Sequence, residues 1–596
     1  MLRNDEVPEK DRAAGAGGSG FAPGSVENRA RPDDAGGPEA VEATHDVVIM
    51  GGGLAGLTLA LQIKQRLPAL DILILERRKH PVPAAAHKVG ESTVEIGAHY
   101  FGEVLGLKPY LQAHQLKKFG FRFFFSDGRE DVDNVTELGA STFLPTPSYQ
   151  LDRGLFENAL AEFVVQRGCR LVGGASVRRF TLAAGSRGAG DDLHRISYEH
   201  DGGMHHVSAR WLVDAAGRAG LIKRKLGLEE GNDHQVGAVW FRIGERVDVN
   251  DWSTDEAWLS RSTPPNRWLS TNHLCGEGYW AWLIPLASGA HSVGIVADTS
   301  LHPIDTLDSF EKSMAWLRKH QPRLHRDLEG KRGKLLDFGY LKRFSYGCKQ
   351  VFSGRQRWAI TGEAGVFLDP FYSPGSDFIA IANTFITEMM VLDQEKGPVQ
   401  MVAGMYDQIY ASLYRNMLPI YLGQYPIFAD AQVMPVKVIW DYTFYWGIMC
   451  PLFFQNRLID LPRMGRLQAQ LAGIERLNVA VQLFMREWSR VSGRDHNPAQ
   501  LLDQASLPWF AELNRGLTDK LDGAQFDALM AQSGRMLNEL AAEIVERATS
   551  QHPDLDPAAV VALLAPGVTS GKRLFPDLAF TSAETGRSPT KVLAHG

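Results

Sequence analysis

The chain has 596 residues, enough for two or three domains with a large buried core. Its apolar content of 44% is ordinary for a soluble globular protein, and a formal net charge of −6 argues against a general nucleic-acid role, which needs a basic surface. Four separated cysteines, Cys169, Cys275, Cys348 and Cys450, form no C-x-x-C pair, so neither a metal site nor a disulfide framework is expected, and a cytoplasmic setting fits best.

Residues 1–44 are rich in Gly, Ala, Pro and mixed charges without periodic apolar positions, which predicts a disordered tail with no secretory signal. His45–Met50 reads as a short buried strand running into Gly51-Gly52-Gly53-Leu54-Ala55-Gly56 and then a helical pattern through Leu57, Leu59, Leu61 and Ile63. This is G-x-G-x-x-G between strand and helix, the context a dinucleotide fingerprint requires. Gly51 permits the tight turn, Gly53 close approach to a pyrophosphate and Gly56 close helix–strand packing, while the N–H groups at the helix start (Leu54, Ala55) face the phosphates. The next strand, Asp71–Leu75, ends in Glu76, about 20 residues beyond the third glycine, where an acid meets the ribose 2′-OH.

Further along come Gly90-Glu91-Ser92-Thr93, then Asp152-Arg153 with Leu155 and Phe156, then Asp214-Ala-Ala-Gly217-Arg218 after a strand at Ala209–Val213. Trp280-Ala-Trp282-Leu-Ile-Pro285 follows, then Gly362-Glu363-Ala364 after a strand at Trp358–Ile360, and Asp369-Pro370-Phe-Tyr372-Ser373-Pro374-Gly375-Ser376. In this order the segments resemble the flavin-dependent halogenases of the tryptophan, pyrrole and phenol group, over about residues 45–390. The resemblance implies an α/β fold with an FAD-binding Rossmann-type domain and an interleaved β-sheet substrate domain. It implies FAD contacts from Gly51, Gly53, Leu54, Ala55, Gly56, Glu76, Gly90, Glu91, Ser92, Thr93, Arg153, Asp214, Gly217, Glu363, Asp369 and Pro370. Glu363 stands where the family has Asp, one methylene longer with the same acceptor. Only one G-x-G-x-x-G stands between a strand and a helix, so reduced flavin comes either from transient NAD(P)H binding or, as in halogenases, from a separate flavin reductase.

The family uses FADH2, O2 and chloride or bromide to make a hypohalite, which reaches a lysine beside the organic substrate. Lys118-Phe-Gly120-Phe-Arg122-Phe123 matches the lysine's context, with Lys117 the competing assignment; an amine in a dry pocket can hold a hypohalite because burial shifts its pKa. Trp280 and Trp282, two apart on a strand, share one face and would form the wall between flavin and substrate, or equally be core. The halide would sit on the N–H groups of Gly375 and Ser376. Pro374 occupies the family's first halide position and has no N–H to donate. Tyr372 replaces the glutamate of tryptophan halogenases, which makes free tryptophan an unexpected substrate. The expected activity is halogenation of an electron-rich aromatic or polyketide-like secondary metabolite, with a flavin monooxygenase or dehydrogenase that uses no halide as the alternative.

Residues 396–596 carry long helical periodicity, as at Leu467, Leu471, Ile474, Leu477 and Val481, and predict a helical C-terminal region packed on domains spanning 45–395. Its aromatic stretch, including Tyr421, Tyr425, Trp440, Tyr442 and Trp446, reads as inter-domain core or as lining for a large substrate, free or carrier-protein-bound. The arginines from Arg457 to Arg490 read as a solvated helix surface. The most apolar segment, Val433–Phe454, is broken by Pro435, Lys437, Asp441 and Pro451, so no integral membrane association is expected.

Overall fold

The computed structural model describes residues 41–568, apart from 87, 186–191, 263 and 494–496, together with Phe575. The expected tail lies outside the described residues except at its end, where the boundary shifts. Ala43 and Thr44 already pair with Val207 and Ser208, so the first strand is Ala43–Met50.

That strand sits inside the first of two eight-stranded sheets, between Ile72–Glu76 on one side and Gly203–Asp214 on the other, all parallel. Trp358–Ile360 and Arg170–Gly173 extend the parallel set outward. Val47 to Met50 have no exposed surface, as expected of a parallel strand covered on both faces. The helix Leu54–Arg66 leaves this strand through the glycine loop and packs against the helices Arg153–Gln166 and Gly375–Gln394. Because the strand order runs outward in opposite directions from Ala43–Met50, the carboxyl end of that strand is the switch point at which such sheets bind ligands.

The second sheet is mainly antiparallel, in the order Leu335–Leu341, Val236–Ile243, His291–Asp298, Tyr279–Pro285, Thr271–Gly276, Phe121–Phe124, Glu137–Gly139, Leu501–Asp503. Alternation along Tyr279–Pro285 splits its side chains: Trp280, Trp282 and Ile284 join the core shared with the first sheet, while Tyr279, Ala281 and Leu283 join a separate core with Trp258 and Leu317.

The C-terminal region is built on the helices Val399–Met417, Val433–Phe444, Leu461–Val491 and Gly523–Gln551. It is not purely helical as expected. Leu501–Asp503 lies parallel to Glu137–Gly139 as the edge strand of the second sheet, tied by the Asp503 carboxylate to the N–H and hydroxyl of Ser141 (2.9 and 2.7 Å). A three-residue strand carries too little periodicity to show in sequence. Among the described residues no helix is long and apolar enough to cross a membrane, and every residue of Val433–Phe444 is buried within the protein. The four cysteines are unpaired and buried, and no group of three metal-ligating side chains occurs among the described residues.

Candidate active site

The glycine loop is packed as its sequence requires. Gly51 has φ +118°, and a Cβ there would lie 2.2 Å from the Ala215 carbonyl oxygen; a Cβ on Gly56 would lie 2.0 Å from the Gly51 carbonyl. Glu76 accepts the Gly52 N–H at 2.7 Å, closing the loop onto the end of the second strand. No side chain caps the helix at Gly53, so its first N–H groups point out of the loop. Lys88 reaches this opening, its Nζ 2.8 Å from where a Gly53 Cβ would be, and Glu157, with a carboxylate oxygen 3.9 Å from the same point, pairs with both Lys88 (3.3 Å) and Arg153, which also donates to the Val89 carbonyl (2.8 Å). An uncapped helix start beneath an ammonium fits a diphosphate. Glu363 is half-buried on the turn Gly362–Ala364, which packs against Ala55 of the same helix. Asn383 fixes that contact by donating to the Ala55 carbonyl and the Thr58 hydroxyl, both 3.1 Å. Gly51→Ala is expected to purify with most of its flavin lost, read from flavin absorbance per protein; full occupancy would refute this packing.

Other residues expected at the cofactor turn out to hold the loops around it. Asp214 accepts the N–H groups of Ala216 (3.0 Å) and Ile222 (2.7 Å), and burial pushes its carboxyl up to about 6. It thereby shapes the turn carrying Gly217, which has φ +59°. Glu91 is buried against Arg242 and the Ser292 hydroxyl (3.1 Å), Thr93 bonds the Tyr149 backbone, and Asp369 accepts from His234 (2.6 Å) and Tyr425 (2.7 Å). Arg242 and His234 carry no motif and were not legible in sequence.

Trp280 and Trp282 stand side by side, ring centres 5.7 Å apart, each anchored by its indole N–H: Trp280 to Tyr425 (3.0 Å) and Trp282 to Ser292 (3.1 Å). His273 packs on Trp280 at 4.9 Å and on Phe121 at 5.2 Å, and Phe121 lies beneath the Lys118 ammonium, 3.3 Å from its ring centre. A continuous line of rings therefore joins the tryptophans to Lys118.

Lys118 is 4% exposed and donates to the Ser92 hydroxyl (2.9 Å) and the Thr93 carbonyl (3.0 Å). Ser92 and Thr93 thus serve the lysine. Burial pulls the amine down to about 7, against the opposing pull of Glu95 and Asp377. Lys117, by contrast, is exposed and covers Phe143. Lys118 opens into a small cavity shared with Glu95, Phe121, Leu144, Thr146 and Tyr442, of about 10 Å³, room for one water. Glu95, the first residue of the helix Glu95–His99, follows Thr93 by two positions and was missed because it belongs to no motif.

In the loop before the helix Gly375–Gln394, Ser373 is left-handed (φ +52°) and Pro374 caps the helix, leaving the Gly375 and Ser376 N–H groups at its start. The buried Ser376 hydroxyl has no hydrogen-bond partner among the described residues and lies 2.3 Å from where a Cβ on Gly97 would be. Its neighbour Asp377 accepts from the Gly97 N–H and the Tyr445 hydroxyl, both 2.8 Å, and burial raises it to about 8. Tyr372 points away, donating at 2.9 Å to Asp441, which is ion-paired with Lys437 at 2.6 Å.

A family model for an FAD binding domain matches residues 44–290. The chain is 25% identical over 435 residues to flavin-dependent halogenase chlA of Dictyostelium discoideum, covering 69% of this chain and 70% of that protein. It is 25% identical over 353 residues to a 1H-pyrrole-2-carbonyl-[peptidyl-carrier protein] chlorinase of Pseudomonas fluorescens, covering 56% and 72%. It is 26% identical over 388 residues to tetracycline 7-halogenase of Kitasatospora aureofaciens, covering 59% and 64%. The fold is similar to that of halogenase PltM in complex with phloroglucinol and FAD, with a TM-score of 0.58, 18% identity, and coverage of 88% of this chain and 97% of that one. Fold and cradle together define an FAD-dependent oxidoreductase. Within that class the chain is similar to flavin-dependent halogenases.

Proposed function

We propose that the protein halogenates an electron-rich arene, with Lys118 holding the electrophilic halogen. One observation carries this reading: a lysine buried to 4% exposure opens into a cavity joined to Trp280 and Trp282 by packed rings. Halogenase relatives support it. Bound FAD, once reduced, supplies with O2 and halide the oxidising power for the reaction, and a separate flavin reductase reduces it. The chain's own part is to bind the diphosphate at Gly53 and Lys88 and to keep substrate away from flavin with Trp280 and Trp282. The halide rests at Gly375 and Ser376.

The cavity has room for one water, so binding an arene requires its walls to move apart. The substrate enters as a free small molecule. Along Leu461–Val491, Arg463 is paired with Asp460 and Asp527 and Arg490 with Glu487, which takes two of the helix's five arginines out of any basic surface for an acidic carrier. Turnover of a free arene and its carrier thioester, compared side by side, tests this, and exclusive use of the thioester contradicts it.

Pro374 favours one other reading, a monooxygenase of the same fold, because it removes an N–H from the halide loop. Supplying flavin reductase, NADH, O2 and an arene with and without bromide separates the two: brominated product supports the first reading and bromide-independent hydroxylated product the second.

A further inference from the structure

His273 is fully buried, stacked on Phe123 (ring centres 4.6 Å apart) and packed on Trp280. Both of its ring nitrogens face backbone carbonyls, Nδ1 that of Thr271 at 3.0 Å and Nε2 that of Phe371 at 3.2 Å. A carbonyl oxygen only accepts. Burial, with the Lys118 ammonium nearby, pulls the imidazole down to about 3, so the ring is neutral and has one N–H to give. The two carbonyls do not need it equally. Thr271 donates its own N–H to the Gly120 carbonyl (3.1 Å) in a parallel ladder, whose regular pairing gives its carbonyl a backbone donor on the neighbouring strand. Phe371 lies in the single helical turn Pro370–Tyr372, and its carbonyl would ordinarily accept from the residue three positions on. That residue is Pro374, which has no N–H, and among the described residues no backbone N–H reaches the Phe371 carbonyl.

We propose that His273 is the positioning residue of the halide loop: its Nε2–H stands in for the N–H that Pro374 lacks and ties the Phe371 carbonyl to the second sheet. The inference rests on the reading of Gly375 and Ser376 as the halide site. With Phe371 tied, the turn closes at left-handed Ser373 (φ +52°) and the N–H groups at the start of Gly375–Gln394 stay free to meet an anion. Released, the Phe371 carbonyl stands four residues before the Gly375 N–H, the spacing of a helical hydrogen bond, and competes with halide for it. His273 thus acts on halide through the backbone of the loop, without touching it.

Two amide side chains separate the two nitrogens, because the Asn amide N–H reaches the place of Nδ1 and the Gln amide N–H that of Nε2. Both variants lose the ring, so turnover falls in both and only the halide constant tells them apart. Bromide is titrated into the oxidised holoprotein at constant ionic strength and followed by flavin absorbance. His273→Asn is expected to raise the bromide concentration for half-saturation about tenfold, the worth of one hydrogen bond, while His273→Gln stays within about threefold of native. Adding Pro374→Ala to His273→Asn supplies an N–H for the Phe371 carbonyl and is expected to recover most of the loss. Equal bromide constants in the Asn and Gln variants, or no recovery with Pro374→Ala, would overturn the proposal. Loss of bound flavin from both single variants would overturn it too, since the ring would then serve the fold. No response of the native holoprotein to bromide would instead refute the halide site itself, and the proposal with it.

Discussion

Lys118→Met is expected to lower halogenation by about 10²–10³-fold or more, the size of effect seen when one polar group aimed at a reacting atom is removed. Flavin binding and flavin reoxidation by O2 are expected to continue, because Lys118 touches Ser92, Thr93 and Phe121 and not the glycine loop. The fold should not suffer either. The amine is buried and its folded-state pKa lies at about 7, below the ordinary 10.5. Between those values the unfolded chain binds the proton and the folded chain does not, so this lysine opposes folding at pH 7, and its contribution to stability improves as pH rises toward 10.5. Methionine, of similar reach and uncharged, removes that slope. Thermal unfolding of the two proteins across this pH range checks the sign, and a variant that unfolds early and loses flavin would show that Lys118 is structural.

The second large effect falls on stability. Lys437 is fully buried and its ammonium donates to Asp441 (2.6 Å), the Gln482 side-chain oxygen (2.8 Å) and the Ile420 carbonyl (2.9 Å). Lys437→Met leaves the Asp441 carboxylate buried without its counter-charge, a change that costs about 3–5 kcal/mol when one partner of such a pair is removed. The Gln482 amide (2.6 Å) and the Tyr372 hydroxyl still reach Asp441, which places the loss toward the lower end of that range. Lys437→Met with Asp441→Asn is expected to recover most of it, since no charge then remains to desolvate. Denaturant unfolding of the holoprotein measures both variants. Because Asp441 also holds Tyr372 beside the candidate halide loop, the single variant should weaken halide dependence as well, seen as a higher halide concentration for half-maximal turnover.

The nucleotide-binding half was legible because its chemistry is written in backbone requirements. Gly51 and Gly56 sit where a Cβ would strike a carbonyl, and Glu76 ends a strand where it can close the loop. Trp280 and Trp282 were legible as sharing a face because a strand has period 2. Lys118 was distinguishable from Lys117 only by context, and the structure separates the two sharply, one buried in the cavity and the other exposed. What sequence concealed is whatever depends on contacts between distant segments. Asp369 and Glu91 sit in motif positions, yet their carboxylates are held by His234 and Arg242, from strands and loops more than a hundred residues away. Glu95, Asp377 and Lys118 meet from three separate segments, and no local pattern announces that burial has raised two of them and lowered the third. The aromatic stretch near Tyr442 is buried core at Trp440 and Trp446, and Tyr442 also lines the cavity beside Lys118.

The central claim is that halide, and not oxygen, is delivered to the substrate through Lys118. Mass spectrometry of the product formed from resorcinol, bromide and O2 with flavin reductase present addresses it most directly, run on the native enzyme and Lys118→Met. A brominated arene from the native enzyme that disappears in Lys118→Met, while both proteins keep reoxidising flavin, is the expected result. A hydroxylated arene formed equally with and without bromide would contradict it.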